Sequence, residues 1–188
     1  MDAFSIEGPV TLSGRINIGG SKNAALPIMA ATILAPGLST IKDVPVLSDI
    51  AVTQTLLQSL GAKVTRLENN DLQIDTSVID NPVGDYDIVR KMRGSICILG
   101  PLLARCGKAQ VSMPGGCAIG DRPVDIHIRG LRDLGAQIEL KNGYIVAEAP
   151  NGLIGKNIFL GGPFGSTVLG TANIMMAATL AKGTTVIE

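Results

Sequence analysis

The chain has 188 residues, of which 46% are hydrophobic and 17% charged, with a mean hydropathy of +0.35. A chain of this length buries roughly 70% of its unfolded surface and can therefore build one domain with a substantial core. Lysine plus arginine and aspartate plus glutamate balance at 16 each, which argues against a nucleic-acid partner.

The hydropathy pattern, the first residues and the cysteines together predict a cytoplasmic protein. No apolar run approaches the roughly 18–20 residues of a membrane span, so no membrane partner is expected. The residues Met1–Phe4 begin with acidic and mixed side chains, which predicts no signal peptide. Three cysteines, an odd number, favour reduced thiols over disulfides. The single histidine, His127, has no second ligand nearby in sequence, so no zinc site is predicted.

The first predicted elements are short strands and a helix. Residues 4–19 alternate loosely between apolar and other residues, which predicts two or three short strands. Ser21 is a candidate N-cap for a helix that runs to about Leu34. Lys22 and Asn23 then lie at the helix N-terminus, where backbone N–H groups can bind an anion and a lysine adds positive charge. The alternative is a solvated lysine in a first helical turn.

This helix begins a unit of helix, strand, helix and hairpin. A strand is predicted over Leu38–Val44, and Ser48 or Asp49 caps a second helix. Gly61 ends that helix in a left-handed conformation, and the hairpin that follows turns at Asn69–Asn70.

The unit recurs in the next part of the chain. A helix is predicted over Asp87–Arg105, with a kink at Pro101 and with Cys97 and Cys106 in the core. A strand over 109–113, a helix over 123–134 and a hairpin turning at Asn142–Gly143 follow. Leu-Gly-Ala triplets at 60–62 and 134–136 occupy equivalent positions in the two units.

A third copy begins and is not completed. Residues 174–181 parallel residues 28–35, and 183–188 read as the strand that follows. The repeats therefore predict an α/β domain with repeat 1 at about 21–77, repeat 2 at about 86–149 and a truncated repeat 3 at about 165–188. The expected reason is a chain cut within a threefold-repeated domain. The alternative is a last repeat that is naturally degenerate.

A glycine-rich segment, Pro114–Pro123, surrounds Cys117. Its glycines and prolines exclude a helix interior or a central strand, so it must be a loop. A thiol becomes a useful acid or nucleophile when a nearby cation lowers its pKa, and Arg122 is the nearest candidate in sequence. The alternative is a glycine-rich turn with an incidental cysteine.

Three motifs together resemble one enzyme family. They are Ser21–Pro27, the pair Met92–Arg93, and Pro114–Asp125. In these motifs the chain resembles the N-terminal portion of the UDP-N-acetylglucosamine 1-carboxyvinyltransferases, the enolpyruvyl transferases of the first committed step of peptidoglycan synthesis. The resemblance implies an inside-out α/β prism (the enolpyruvyl transferase fold) for residues 21–188. It also implies that residues 1–20 belong with a second, C-terminal domain that this chain lacks.

The resemblance implies a reaction and site residues. The family moves the enolpyruvyl group of phosphoenolpyruvate to the 3′-hydroxyl of UDP-N-acetylglucosamine and releases phosphate, with no cofactor and no metal. Cys117 would be the catalytic proton donor, and the glycine-rich loop would close as a lid. The residues expected to bind phosphoenolpyruvate are Lys22, Asn23 and Arg122. The residues expected to bind UDP-N-acetylglucosamine are Arg93, Arg122, Pro123, Val124, Asp125 and Ile126.

The resemblance has further implications and leaves alternatives. It implies roles in cell-wall biogenesis, cell shape, the cell cycle and cell division, sensitivity to fosfomycin, and a fragment that is inactive alone because the family's catalytic aspartate lies in the second domain. One alternative is the shikimate-pathway enolpyruvyl transferase, which has no cysteine in the role of Cys117. Another is a non-catalytic module that binds a nucleotide sugar. The stretch Ser166–Leu169 is a further candidate for contacts with the uridine.

Overall fold

The computed structural model describes residues 3–114, 124–162 and 165–188. The helices are α1 (Lys22–Ala31), α2 (Ser48–Ser59), α3 (Tyr86–Val89), α4 (Leu99–Cys106), α5 (Asp125–Asp133) and α6 (Val168–Ala178), with 3₁₀ segments at Thr32–Leu34 and Arg93–Ile98. The strands are β1 (Leu38–Ile41), β2 (Lys63–Arg66), β3 (Leu72–Asp75), β4 (Val83–Gly84), β5 (Lys108–Ser112), β6 (Gln137–Lys141), β7 (Tyr144–Glu148), β8 (Asn157–Ile158) and β9 (Val186–Ile187).

The repeated unit of the sequence is a repeated unit of topology. The first sheet has the order β1-β3-β2 and the second the order β4-β5-β7-β6. In each sheet, the strand that follows the first helix pairs antiparallel with the second strand of the hairpin, so β1 pairs with β3 and β5 with β7. The third unit contributes β9, which pairs parallel with β8. The short edge strands β4 and β8 carry no sequence signal and were not predicted.

Turn residues explain why the hairpins form. Asn142 has φ of 52° and Gly143 has φ of 79°, the two consecutive left-handed residues of a type I′ turn. Asn70, at the equivalent hairpin of the first unit, has φ of 64°. Asparagine and glycine tolerate this conformation better than other residues. The predicted turns at both places are confirmed.

The core lies between the helices and one face of each sheet. Leu99, Leu102 and Leu103 of α4 are fully buried, and α4 packs against both α6 and β5. In β3, Leu72 and Ile74 are buried, while the alternate residues Gln73 and Asp75 are half-buried. The sheets thus pack one face against the helices, which agrees with the predicted inside-out α/β prism.

The prediction of short strands over residues 4–19 is wrong. The described residues 3–20 form no helix or strand and are exposed, with Phe4 99% and Ile18 92% accessible. Their alternation satisfies the pattern of a strand, but a strand is stable only when another strand or a helix packs against it. The assignment of residues 1–20 to a second domain stays a prediction.

The predicted helix over Asp87–Arg105 is broken into α3, a 3₁₀ segment and α4. Pro101 does not kink a helix, because it is the third residue of α4, where a missing N–H costs no intrahelical bond. Its ring instead disfavours an α-helix through the preceding turn, which is 3₁₀. Cys97 is buried as predicted, whereas Cys106 is only half-buried at the end of α4.

Candidate substrate site

Lys22 is the first residue of α1, and its ammonium group forms an ion pair with Asp49. Lys22 Nζ donates a hydrogen bond to Asp49 Oδ2 over 2.7 Å, and the two side chains are 39% and 30% exposed. Asp49 lies in the first turn of α2, where the helix dipole favours a carboxylate. An ammonium group has three N–H donors, so this pair orients Lys22 and leaves donors that suit an anion. Sequence reasoning missed the pair.

Ser21 and Asn23 flank Lys22. Ser21 occupies the N-cap position of α1 as predicted, but its side chain makes no capping hydrogen bond. Asn23, in the first turn, is exposed. The predicted anion-binding residues therefore lie together at an accessible helix N-terminus.

Arg93 begins the 3₁₀ segment Arg93–Ile98 and is half-buried. This segment packs against α1, and a Cβ built on Gly94 would lie 3.6 Å from Leu26 Cδ1. Arg93 therefore lies on an element in direct contact with the helix that carries Lys22. The positive charge of Arg93 also lowers the pKa of His127 in α5. Arg93 therefore lies near the first turn of that helix.

The first turn of α5 carries the remaining predicted residues that the structure describes. Val124 is the buried N-cap residue, Asp125 is exposed and Ile126 is half-buried. The side chain of Ile126 lies against Gly162, since a Cβ there would be 3.1 Å from Ile126 Cδ1. Gly162 and Gly165 are joined by two backbone hydrogen bonds of 3.0 Å.

Gly165 directly precedes the stretch Ser166–Leu169. The fold thus brings the start of the third unit next to the segment predicted to bind the UDP-sugar. The predicted residues Cys117, Arg122 and Pro123 lie outside the described residues.

A buried polar cluster supports the first turn of α5. His127 is 3% exposed and Asn173 of α6 is fully buried, and Asn173 Nδ2 lies 3.0 Å from His127 Nδ1. Burial and the charge of Arg93 lower the pKa of His127 to about 4, against the opposing effect of Asp125. The imidazole is therefore neutral at pH 7. Sequence reasoning assigned His127 no role.

The described cysteines are not activated. Burial raises the pKa of Cys97 to about 12, and burial also raises the pKa of Cys106 against the opposing charges of Arg105 and Lys108. Neither thiol is a competent acid or nucleophile at neutral pH.

Residues 3–114, 124–162 and 165–188 contain no candidate metal site and no membrane-spanning helix. Within these ranges, no group of three or more His, Cys, Asp or Glu is placed to hold a metal ion. No helix described there is long and apolar enough to cross a membrane. A shallow cavity of about 230 Å³ on the second sheet, between Pro82, Lys108 and Glu148, contains none of the predicted site residues.

Comparison with known proteins identifies the family. The model of the family EPSP synthase (3-phosphoshikimate 1-carboxyvinyltransferase) matches residues 6–188. The chain belongs to this family of 1-carboxyvinyltransferases. Relatives named UDP-N-acetylglucosamine 1-carboxyvinyltransferase are 54% identical over 189 residues in Methylacidiphilum infernorum and 50% identical over 185 residues in Wolinella succinogenes. They match 100% and 98% of this chain, which spans only 44% and 43% of their length.

Solved structures confirm the enolpyruvyl transferase fold. The enolpyruvyl transferase NikO from Streptomyces tendae superposes with a TM-score of 0.79 at 21% identity, over 94% of this chain and 41% of that one. EPSP synthase from Acinetobacter baumannii superposes with a TM-score of 0.72 at 18% identity, over 93% of this chain and 40% of that one. At these identities the similarity establishes the fold alone.

Proposed function

We propose that this chain is the N-terminal part of a UDP-N-acetylglucosamine 1-carboxyvinyltransferase. The whole enzyme transfers the enolpyruvyl group of phosphoenolpyruvate to the 3′-hydroxyl of UDP-N-acetylglucosamine and releases phosphate. The observation that carries the proposal is the 54% identity to the Methylacidiphilum infernorum relative over the entire chain. The solved enolpyruvyl transferases that share only the fold are 21% and 18% identical.

The chemistry assigns a task to each part of the site. Cys117 gives a proton to C3 of phosphoenolpyruvate, C2 becomes electrophilic, and the 3′-hydroxyl loses its proton to a base as its oxygen bonds to C2. The resulting tetrahedral ketal then loses a proton from C3 as the bond between C2 and the phosphate oxygen breaks. A carboxylate from a second domain supplies the base, so residues 1–188 are inactive alone. No cofactor or metal takes part.

Cations and helix N-termini hold the charged groups of the substrates. Lys22, Asn23 and Arg122 bind phosphoenolpyruvate. Arg93 and the segment Arg122–Ile126 bind UDP-N-acetylglucosamine, whose diphosphate suits guanidinium groups and backbone N–H groups at the start of α5. The contact between α1, which begins at Lys22, and the 3₁₀ segment that begins at Arg93 supports this assignment, as does the effect of the Arg93 charge on His127 of α5.

The proposed function implies a cellular compartment and a set of cellular processes. A protein with this activity acts in the cytoplasm at the first committed step of peptidoglycan synthesis. It thereby serves cell-wall biogenesis, cell shape, the cell cycle and cell division. With a cysteine at position 117, it is also a target of fosfomycin, whose epoxide is opened by the thiolate as a carbon–sulfur bond forms and the epoxide oxygen takes up a proton.

The test is an assay of a completed enzyme. A chimera joins residues 1–188 to the part of the Methylacidiphilum infernorum relative that this chain does not match. We expect it to release phosphate from phosphoenolpyruvate with UDP-N-acetylglucosamine and not with shikimate 3-phosphate. Release only with shikimate 3-phosphate would assign the chain to the shikimate-pathway enzyme. Tight binding of UDP-N-acetylglucosamine without any turnover would indicate a binding module instead.

The assignment of Cys117 has its own test. Intact mass after fosfomycin treatment should show one adduct per chimera, formed faster when UDP-N-acetylglucosamine is present. The Cys117→Ser variant is the matched control. It retains Cys97 and Cys106, whose pKa values burial raises, and should remain unmodified. Equal modification of the variant would contradict the role of Cys117.

A further inference from the structure

A single buried amide joins three elements of the domain. Asn173 Oδ1 accepts a hydrogen bond of 2.7 Å from the backbone N–H of Gly100, at the start of α4. Its Nδ2 donates to the carbonyl oxygen of Ile96 over 3.2 Å and lies 3.0 Å from Nδ1 of His127 in α5. The amide oxygen therefore has one partner, and each of the two amide N–H groups has one.

The partners determine how the amide is oriented. Gly100 N–H can only donate and the Ile96 carbonyl can only accept, so the oxygen of Asn173 must face Gly100 and the NH₂ group must face Ile96. The second N–H of that group then points to His127 Nδ1, which must accept. A neutral imidazole that accepts at Nδ1 carries its proton on Nε2. Asn173 thus selects one tautomer of His127.

The selected histidine lies in the first turn of α5. It is two residues after Asp125 and directly after Ile126, which contacts Gly162. The same helix is held on another side by Arg129, whose Nη2 donates to the carbonyl oxygens of Phe159 and Gly161. Without the bond to Asn173, the first turn of α5 would lose its buried polar attachment to α4 and α6.

We infer that Asn173 is a positioning residue for the UDP-N-acetylglucosamine end of the site, because it holds His127 as the Nε2–H imidazole and, through His127, orients Asp125 and Ile126. This inference rests on the proposed function. Asn173 itself touches no reacting atom. It acts through the backbone of α5, and a misalignment of this kind affects binding of the nucleotide sugar before it affects chemistry.

The tautomer is directly measurable because His127 is the single histidine of the chain. Nitrogen-15 NMR of the labelled chain should show a protonated Nε2 and an unprotonated Nδ1 at pH 7. In the Asn173→Asp variant the carboxylate cannot donate, so the imidazole should either become Nδ1-protonated or become doubly protonated. A proton on Nδ1 in the unaltered chain overturns the inference.

Steady-state kinetics of the chimera test whether Asn173 positions the groups that bind UDP-N-acetylglucosamine. In Asn173→Asp we expect the KM for UDP-N-acetylglucosamine to rise about tenfold, as for a small misplacement of binding groups, while the KM for phosphoenolpyruvate stays within about twofold. Asn173→Thr, which keeps a hydroxyl that can accept from Gly100, is the second variant if the aspartate does not fold. Thr76→Val is the matched control, since it removes a buried hydroxyl that donates to Thr32 and Ala35 in the first unit.

The outcomes separate the two claims. A chimera that is inactive before any substitution refutes the proposed function and, with it, this inference. An active chimera in which the Asn173 variants behave like Thr76→Val refutes the inference alone. A selective rise in the KM for UDP-N-acetylglucosamine, accompanied by the change of tautomer, supports it.

Discussion

Protonation of His127 should destabilise the fold at acidic pH. Burial in the cluster with Asn173 lowers the pKa of His127 from 6.5 to about 4. Between these two values the unfolded chain binds a proton on the imidazole and the folded chain does not. The stability that the neutral imidazole contributes is therefore complete above pH 6.5 and is lost as the pH falls toward 4.

The size of the effect follows from the two pKa values. Between pH 7 and pH 4.5, the free energy of unfolding should fall by about 2 kcal/mol through His127 alone. Urea unfolding of the chain at both pH values measures the total loss. His127→Gln does not titrate in this range, and its amide oxygen can still accept from Asn173. The unaltered chain should therefore lose about 2 kcal/mol more than this variant.

The comparison with the variant removes the contribution of the carboxylates. Asp and Glu residues also titrate toward pH 4, but they are common to both proteins and cancel. Equal losses in the two proteins would refute the reasoning. So would an NMR titration of the His127 ring that gives a pKa near its ordinary value.

Three further predictions concern other parts of the domain. In the chimera, Asp49→Asn should raise the KM for phosphoenolpyruvate severalfold, because Lys22 loses its orienting partner. The melting temperature should change little, since the ion pair is half-exposed. An unchanged KM would contradict the proposed role of the ion pair. Gly130→Ala should lower the free energy of unfolding by about 1–3 kcal/mol, because its Cβ would lie 2.7 Å from Ile174 Cγ1, and urea unfolding measures this. Cys97 should react with a disulfide reagent only after denaturation, since burial raises its pKa to about 12, and a fast native-state reaction would show that the thiol is accessible.

Local patterns predicted the elements that local chemistry determines. The helix at Ser48–Ser59 and the hairpin turn at Asn142–Gly143 follow from apolar spacing, a helix-terminating glycine and residues that tolerate positive φ. The repeated unit was visible for the same reason, since each copy carries its own turn and helix signals. The predicted core residue Cys97 is buried, as its place in an apolar helical run indicated.

Patterns failed where an element depends on what packs against it. Residues 4–19 have the alternation of strands but no strand partner among the described residues, and they lie exposed. The two-residue strands β4 and β8 are strands only because β5 and β9 run beside them. The continuous helix predicted over 87–105 is divided, because the Pro101 ring disfavours an α-helical turn ahead of it.

The sequence by itself therefore determined the repeated α/β architecture and which residue types could do chemistry, because helical spacing, turn residues and motifs are properties of short segments. Only the tertiary structure decided which of those residues meet. Lys22 and Asp49 are 27 positions apart and His127 and Asn173 are 46 apart, and no local pattern relates them. Packing of the helices brings each pair into contact, and burial then sets the charge that His127 carries.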